Sequence, residues 1–469
     1  MKVLIAASEA APLIKMGGLG DVIGSLPKAL EKQGVNADVV IPFYPKIDAS
    51  KYKISKNLDL EVPFAGESHL VEVYKSKLPG SNVDAFMLNN HKFFRSGGMK
   101  AFADTVSETE MFTFFGKAVV ELIKASFGTY NLIHCNDWHV GLVTQLLRDE
   151  LGNERPATLF TIHNLLYQGV GDPELIQDVG IAPGTSKILD WDLQDGDVNL
   201  MLEGITSSDF VSTVSPSYAR EILTPEFGRD FFEILKTREG RLEGILNGID
   251  YSAFPRDFDQ TNWQDCKQES KKALKKELGL PDEEDVPLFS FISRLDPGQK
   301  GLDILFNVVS KITEKGGQFV LLGTGDPKWE ERFKKLSEEK EISDGFSCNI
   351  MFDTKLATRI YSASDFILIP SLYEPCGLTQ MIGMYYGTIP VARSVGGLKD
   401  SIKDNVDGFL FEDYDYRAFA EALNRAFSVY NSRVDMEHMV ENALNRDFSW
   451  DKSALEYKKL YEKVINCVK

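Results

Sequence analysis

Short apolar runs alternate with amphipathic stretches along most of this chain, and the pattern occurs twice. A first series reads "KVLIAAS", "ADVVIPFY", "NLIHC", "ATLFTIH" and "DFVSTVS"; a second reads "PLFSFIS", "QFVLLGTG", "DFILIPS" and "TIPVARS". Apolar runs this short, each followed by a helical pattern, mark parallel strands covered by helices on both faces. Between the series, "LNGIDYSAFPRDFDQTNWQDCKQESKKALKKELGLPDEEDVP" lapses into Gly, Pro and charge. The pattern predicts an α/β protein of two Rossmann-like domains, residues 1–246 and 247–449, with residues 450–469 returning toward the first. The hinge is expected near Asn247 to Asp250 and the second core from Pro287; Leu455, Leu460 and Val464 mark a terminal helix. Parallel sheets present their loops and helix N-termini at the carboxyl ends of the strands, so a central cleft faced by both sheets is the expected site.

Composition limits what such a cleft can serve. With 469 residues, 43% of them hydrophobic, the chain can build two real cores. A formal net charge of -18 argues against a nucleic-acid partner or an anionic membrane surface, both of which need a basic footprint. No apolar run approaches the roughly 18 residues of a membrane helix. The opening "MKVLIAASEA" is a strand rather than a leader, so a cytoplasmic location is expected. Cys135, Cys266, Cys348, Cys376 and Cys467 are scattered without CxxC spacing, which suits reduced thiols.

Chemistry concentrates just after the predicted strands. In "DFILIPSLYEPCGLTQ" a strand delivers Glu374 ahead of a helix whose free N–H groups attract anions. A phosphorylated sugar suits both, its hydroxyls on the carboxylate and its phosphate on the helix end. "KMGGLGDV" precedes a helix expected near Asp21; Gly17 and Gly18 allow backbone N–H groups close to an anion, and Lys15 adds charge. A plain turn explains the glycines equally, and neither GxGxxG nor a P-loop is present. "SRLDPGQKGLD" places Arg294 and Lys300 after another strand, where two cations would neutralise a diphosphate, although solvated surface charge is the commoner fate.

Metal and thiol chemistry fit less well. His134, His139 and His163 invite a zinc reading, but no HExxH occurs and the spacing is wrong, which leaves His134 and His139 as hydrogen-bonded core histidines. Acidic pairs at Asp190/Asp192, Asp195/Asp197, Asp257/Asp259 and Asp413/Asp415 match DxD, yet none follows a core strand and all read as solvated loop carboxylates. Cys376 at a helix start could be a nucleophile, but no His with a supporting carboxylate serves it. A small residue offering its N–H is the better account. No metal and no cofactor is expected.

Taken together, "KMGGLGDVIGSLPKAL", "HCNDWHVGL", "TIHNLLYQG", "STVSPSYAREI", "GILNGID", "QKGLD", "LGTGDP", "PSLYEPCGLTQMIGMYYGTIPVARSVGGLKDSI" and "FSW" resemble bacterial glycogen and starch synthases over nearly the whole chain. That family comprises retaining glucosyltransferases of GT-B architecture. The resemblance implies ADP-glucose as donor and the non-reducing end of an α-1,4-glucan as acceptor. It places Lys15, Gly17 and Gly18 toward the donor's phosphate and sugar with Asp21 on the nucleotide side, and Arg294, Lys300 and Thr379 on the diphosphate. Glu374 with the N–H groups of Cys376 and Gly377 would hold glucose hydroxyls, His163, Asn164 and Asn247 would complete the sugar pocket, Phe352 would stack on the base, and Asp137 would sit near the reacting carbon or acceptor.

Departures from the family pattern fall elsewhere. "MLEGITSSDF" offers Leu202 and Glu203 where a Lys is usual, "NGID" runs into Tyr251 to Asp257 instead of Trp-Asn-Pro, Arg294 and Lys300 are one residue further apart than in many members, and the region after "HKFFRSGG" is short. They bear on acceptor handling and hinge geometry. A related transferase using UDP-glucose or another acceptor, and a catalytically silent glucan-binding relative, are the alternatives. Retention of Lys15, Arg294, Lys300 and Glu374 together speaks against the silent one.

Overall fold

The computed structural model describes residues 1–94, 106–126, 128–182, 184–259 and 261–468; the shortened region after "HKFFRSGG" lies outside them. The chain divides into two compact units, one made of Met1–Val214, Ala219–Gly248 and Trp450–Lys469, the other of Ser215–Tyr218 and Ile249–Ser449. Among the described residues, no helix is long and apolar enough to cross a membrane.

In the first unit the strands are β1 (Lys2–Ala6), β2 (Asn36–Pro42), β3 (Ser55–Phe64), β4 (Glu67–Lys77), β5 (Asp84–Asn89), β6 (Leu132–Asn136), β7 (Ala157–Ile162), β8 (Val170–Gly171), β9 (Val198–Asn199), β10 (Phe210–Thr213) and β11 (Leu242–Gly244). Nine of them form one sheet in the order β11-β10-β7-β6-β1-β2-β5-β4-β3, while β8 and β9 pair separately. The central strands are parallel, and β6 and β7 are buried at every position, mostly apolar with His134, Asn136, Thr158 and Thr161 as the polar exceptions, as helices on both faces demand. The edge departs from the expected parallel pattern: β3 and β4 form an antiparallel hairpin, and β4 pairs antiparallel with β5. Ala65 and Gly66, both at positive φ (52° and 76°), make the two-residue turn that the strands' twist favours.

Helices cover the sheet because their apolar residues recur at helical spacing. Gly18–Lys32 buries Leu19, Val22, Ile23, Leu26 and Leu30. It begins at Gly18, three residues before the start expected near Asp21. The terminal helix Trp450–Val468 packs on this first unit, burying Ser453, Ala454, Tyr457, Leu460, Tyr461 and Val464. Leu455, expected on the buried face, is exposed. Face selection follows the contacts actually made: the Tyr461 hydroxyl bonds His134 at 2.8 Å, and the Ser453 hydroxyl donates to Leu246 O at 2.6 Å.

The second unit holds β12 (Leu288–Ile292), β13 (Gln318–Gly323), β14 (Phe346–Ile350), β15 (Phe366–Ile369), β16 (Ile389–Arg393) and β17 (Phe409–Phe411), all parallel, in the order β14-β13-β12-β15-β16-β17. The order reverses between β12 and β15, the position where open α/β sheets gather their ligand loops. The Tyr251 to Asp257 departure is built into this unit. The Tyr251 hydroxyl accepts the Phe448 N–H at 2.8 Å, Arg256 donates to Tyr385 O at 2.7 Å, and the Tyr386 hydroxyl donates to Pro255 O at 2.8 Å.

The other departure is buried in the first unit. Leu202 and Glu203 lie in helix Leu200–Ser207, where Asn199 caps the start by accepting the Leu202 N–H at 3.1 Å. Glu203 is fully buried with neither carboxyl oxygen partnered among the described residues.

Candidate active site

In the second unit, the loops after β12 and β15 meet. Lys300 Nζ lies 2.7 Å from Glu374 Oε2, and the Ser371 hydroxyl donates to the same oxygen at 2.9 Å. Both members of this pair are largely withdrawn from water, so their attraction is little screened. An ammonium has three protons, and this contact uses one, which leaves Lys300 able to serve an anionic oxygen as well. A cavity of about 70 Å³ is lined by Lys300, Glu374, Gly377 and Thr379 among others.

The chain beyond Glu374 turns tightly. Gly377 adopts φ +74°, and a Cβ there would meet the Gln380 side chain at 2.6 Å. Gln380 in turn donates to Cys376 O at 3.1 Å and Gly377 O at 2.9 Å, so the backbone that presents the Cys376 and Gly377 N–H groups is pinned from below. Thr379 opens the short helix Thr379–Tyr385, whose N-cap has no side-chain bond, and its hydroxyl touches that of Tyr361. Arg294 is more exposed and donates to Gln299 at 3.2 Å. Phe352 stands 84% exposed just before Asp353, which caps helix Thr354–Ala363. So much free aromatic surface on a strand-end loop suits a planar ligand.

In the first unit, the N-terminal glycine loop is organised by a residue the motifs do not reveal. Glu9, just past β1, is buried and accepts the N–H groups of Met16 and of Gly17, the latter at 3.1 Å. Burial raises its pKa, against the lowering effect of those N–H groups. The carboxylate thus stands at the start of helix Gly18–Lys32, where orphan N–H groups and the helix dipole favour an anion. Next to it Lys15 pairs with Asp21 at 2.7 Å, both partly exposed. The space beside Gly18 is open, with nothing within 4 Å of where a Cβ would lie.

Asp137, after β6, sits at φ +61°, a conformation costly for a residue with a side chain and frequent at functional sites. Its Oδ1 accepts the His163 N–H at 3.0 Å, and burial pushes its pKa up to about 7 despite that bond and one from Asn164. A carboxyl in that range can give or take a proton near neutrality. Asn136 donates its amide to Ala6 O and His134 O, so its remaining oxygen, 3.0 Å from His163 Nε2, must accept from the ring. Burial lowers His163 to about 3, which keeps it neutral in that tautomer. Asp137, His163 and Asn164 are therefore brought together. Asn247 is buried, and its Oδ1 has no partner among the described residues.

The remaining motif residues have structural employment. His134 is a hydrogen-bonded core histidine, bonding Tyr461 and Thr161 through its two nitrogens. His139 is buried and stacks on Trp138 at 4.1 Å, but against expectation its Nδ1 has no hydrogen-bond partner among the described residues, since its ring is held by aromatic neighbours instead. Asp192, expected to be solvated, is instead buried, where it accepts the Asn199 N–H at 2.8 Å and rises to about 6 through loss of water. Among the described residues no group of three or more His, Cys, Asp or Glu is arranged to hold a metal ion. Sequence reasoning misses Glu9 and Asn136; the available signal is a polar residue at, or a few residues past, the carboxyl end of a buried strand.

Comparison with known proteins fixes the class. Residues 270–445 match the family model "Glycosyl transferases group 1", and residues 2–237 match "Starch synthase catalytic domain". With two Rossmann-like units and chemistry gathered at their strand ends, the chain is a glycosyltransferase of GT-B architecture. Over 99% of its length it is 40% identical to glycogen synthase of Fervidobacterium nodosum (99% of that protein covered) and 40% identical to glycogen synthase of Kosmotoga olearia (98% covered). The catalytic domain of starch synthase IV from Arabidopsis thaliana, bound to ADP and acarbose, superposes with a TM-score of 0.89 at 33% identity, each chain covered to 99%. The chain belongs to the glycogen and starch synthase family. Sucrose-phosphate synthase of Thermosynechococcus elongatus, at 20% identity and a TM-score of 0.63 with 99% of each chain covered, shares the fold.

Proposed function

We propose that this protein transfers glucose from ADP-glucose to the non-reducing end of an α-1,4-glucan with retention of configuration. The observation that carries the reading is the Lys300–Glu374 pair, 2.7 Å apart beside the Gly377 turn, in a chain of this family. ADP is already a good leaving group, so the protein must offset growing negative charge rather than protonate it. Lys300 and Arg294 do this on the diphosphate, helped by Thr379. Glu374 and the Cys376 and Gly377 N–H groups hold the glucose, and its negative charge favours the oxocarbenium character that develops as the bond lengthens. Phe352 stacks on the base. The first unit contributes Lys15, Gly17, Gly18 and Asp21 toward the donor, with Asp137, His163, Asn164 and Asn247 toward the sugar and acceptor. No second nucleophile is evident among the described residues, and front-face return, with the departing phosphate taking the acceptor proton, is the mechanism that the family resemblance implies. Neither a metal nor a cofactor enters this scheme.

Measuring nucleoside diphosphate release from ADP-glucose and UDP-glucose, with and without glycogen and in the presence of EDTA, tests it. Glycogen-dependent ADP release that survives EDTA is expected. Release confined to UDP-glucose, or indifferent to glycogen, overturns the donor or the acceptor assignment.

Glu9 gives a narrower expectation. Glu9→Gln keeps the volume but replaces a charged, two-oxygen acceptor with one oxygen and a donor that faces the Met16 and Gly17 N–H groups. Loss of one charge-assisted bond should raise the KM for ADP-glucose roughly 10-fold through a loosened Lys15 loop, with a smaller change in kcat. Steady-state kinetics check this, and an unchanged KM would remove Glu9 from loop positioning.

A further inference from the structure

We propose that residues 164–171 and 187–199 of the first unit form a binding platform for the α-glucan chain, with Tyr167 and Trp191 as its stacking rings. The inference rests on the glucan acceptor proposed above and adds where the polymer is held beyond the reacting sugar. Large apolar side chains are normally exposed singly. Here Tyr167 (48% exposed), Val170 (49%), Ile188 (37%) and Trp191 (56%) all fall between residues 167 and 191.

The rings stand on a built scaffold. Asn164 accepts the Leu166 N–H on its side chain at 3.1 Å and the Tyr167 N–H on its carbonyl at 3.2 Å. That turn projects Tyr167 four residues after His163, so the platform continues directly from the proposed sugar site. Gly169, at φ +64°, lies against Trp138 so closely that a Cβ would be 2.1 Å from the indole. Asn199 then ties the two ring-bearing pieces together. Its amide donates to Gln168 Oε1, beside Tyr167, at 2.8 Å, and its backbone N–H donates to Asp192, beside Trp191, at 2.8 Å. Pairing of β8 with β9 completes the frame.

Exposed aromatic faces with acidic neighbours suit a neutral carbohydrate. The apolar face of a pyranose stacks on a ring, and carboxylates such as Asp190 and Asp195 accept hydroxyl hydrogens at the rim. Anionic polymers are disfavoured by the same carboxylates. A rigid frame matters because it spares the ordering entropy that a mobile loop would lose on binding.

The test is calorimetric titration of the full-length protein with maltoheptaose, comparing the parent with Trp191→Ala, Tyr167→Ala and Trp191→Phe. Each alanine variant should weaken Kd about 10-fold, and Trp191→Phe should recover most of the loss. In transfer assays the ratio of kcat/KM for maltoheptaose to that for maltotriose should fall by a similar factor. Because both rings are exposed, and two separate positions are changed, a folding defect in one variant still leaves the other to decide. Kd values within twofold of the parent overturn the platform, as does a parent that binds no maltoheptaose. So does concentration-dependent dimerisation abolished by Trp191→Ala, which would make the patch a contact between copies. A parent that binds maltoheptaose through these rings but releases no ADP from ADP-glucose would leave the platform standing and overturn the transferase reading.

Discussion

Glu374→Gln is expected to lower kcat by roughly 100-fold or more while the affinity for donor falls much less. The substitution keeps size and one acceptor oxygen, so the hydroxyl contacts proposed for Glu374 would largely persist. What it removes is the negative charge, and that charge acts where few water molecules screen it: Glu374 is buried, 2.7 Å from Lys300 and 2.9 Å from the Ser371 hydroxyl. Its value rises as the sugar becomes oxocarbenium-like, so the loss appears in the transition state rather than in ground-state binding. Breaking a buried pair also leaves Lys300 without its counter-charge, and a drop in thermal stability should accompany the loss of turnover. Single-turnover kinetics with ADP-glucose separate the two, because destabilisation alone would leave the folded fraction's rate intact. A kcat within a few-fold of the parent would remove Glu374 from the chemistry.

The contrast between Glu374 and Glu9 shows which parts of such a site are legible in a sequence. Glu374, Lys300 and Arg294 lie in the loops that follow apolar strands, the position where open parallel sheets gather ligand groups, which is why they can be singled out as candidates. Glu9 and Asn136 lie near strand ends too, but Glu9 bonds the backbone of Met16 and Gly17, and Asn136 bonds the backbone of Ala6 and His134 together with the His163 ring on another strand's loop, and none of these partners sits at a spacing that a sequence displays. The same distinction runs through the fold. Continuous apolar runs find β1, β2, β6, β7, β10, β12, β13, β15 and β16, since strands buried on both faces can be little else. They miss the β3–β4 hairpin, whose half-exposed strands alternate and whose turn uses Ala65, a residue with no intrinsic liking for positive φ. Spacing alone also cannot say which stripe of the terminal helix faces inward; His134 and the β6 surface choose the stripe carrying Tyr457 and Tyr461, and Leu455 is left outside.

Glu203→Gln is expected to flatten the pH dependence of stability. In the folded protein Glu203 is buried without a partner, and loss of water, then the nearby Asp192 and Asp149 carboxylates, push its pKa up to about 8. In the unfolded chain it titrates as an ordinary glutamate, near 4.3. The folded state therefore keeps a proton that the unfolded state gives up. At pH below about 4 both states are protonated and the stability contribution is fully present. It is lost as pH rises toward 8, at about 1.4 kcal/mol per unit, or on the order of 4 kcal/mol between pH 5 and pH 8. Glutamine has no proton to lose, so the variant should gain on the parent by that amount over the same interval. A constant offset from the buried amide's own unmet hydrogen bonds leaves this slope unaffected. Asp192 and Asp149 are also raised by burial and titrate in the same direction, but both are present in parent and variant, so the difference isolates Glu203 and its coupling to them. Urea unfolding of both proteins at pH 5 and pH 8 reads it directly. Parallel pH trends would mean that the carboxylate ionises in place, and that the Leu202-Glu203 departure from the family pattern does not confine a proton beneath helix Leu200–Ser207.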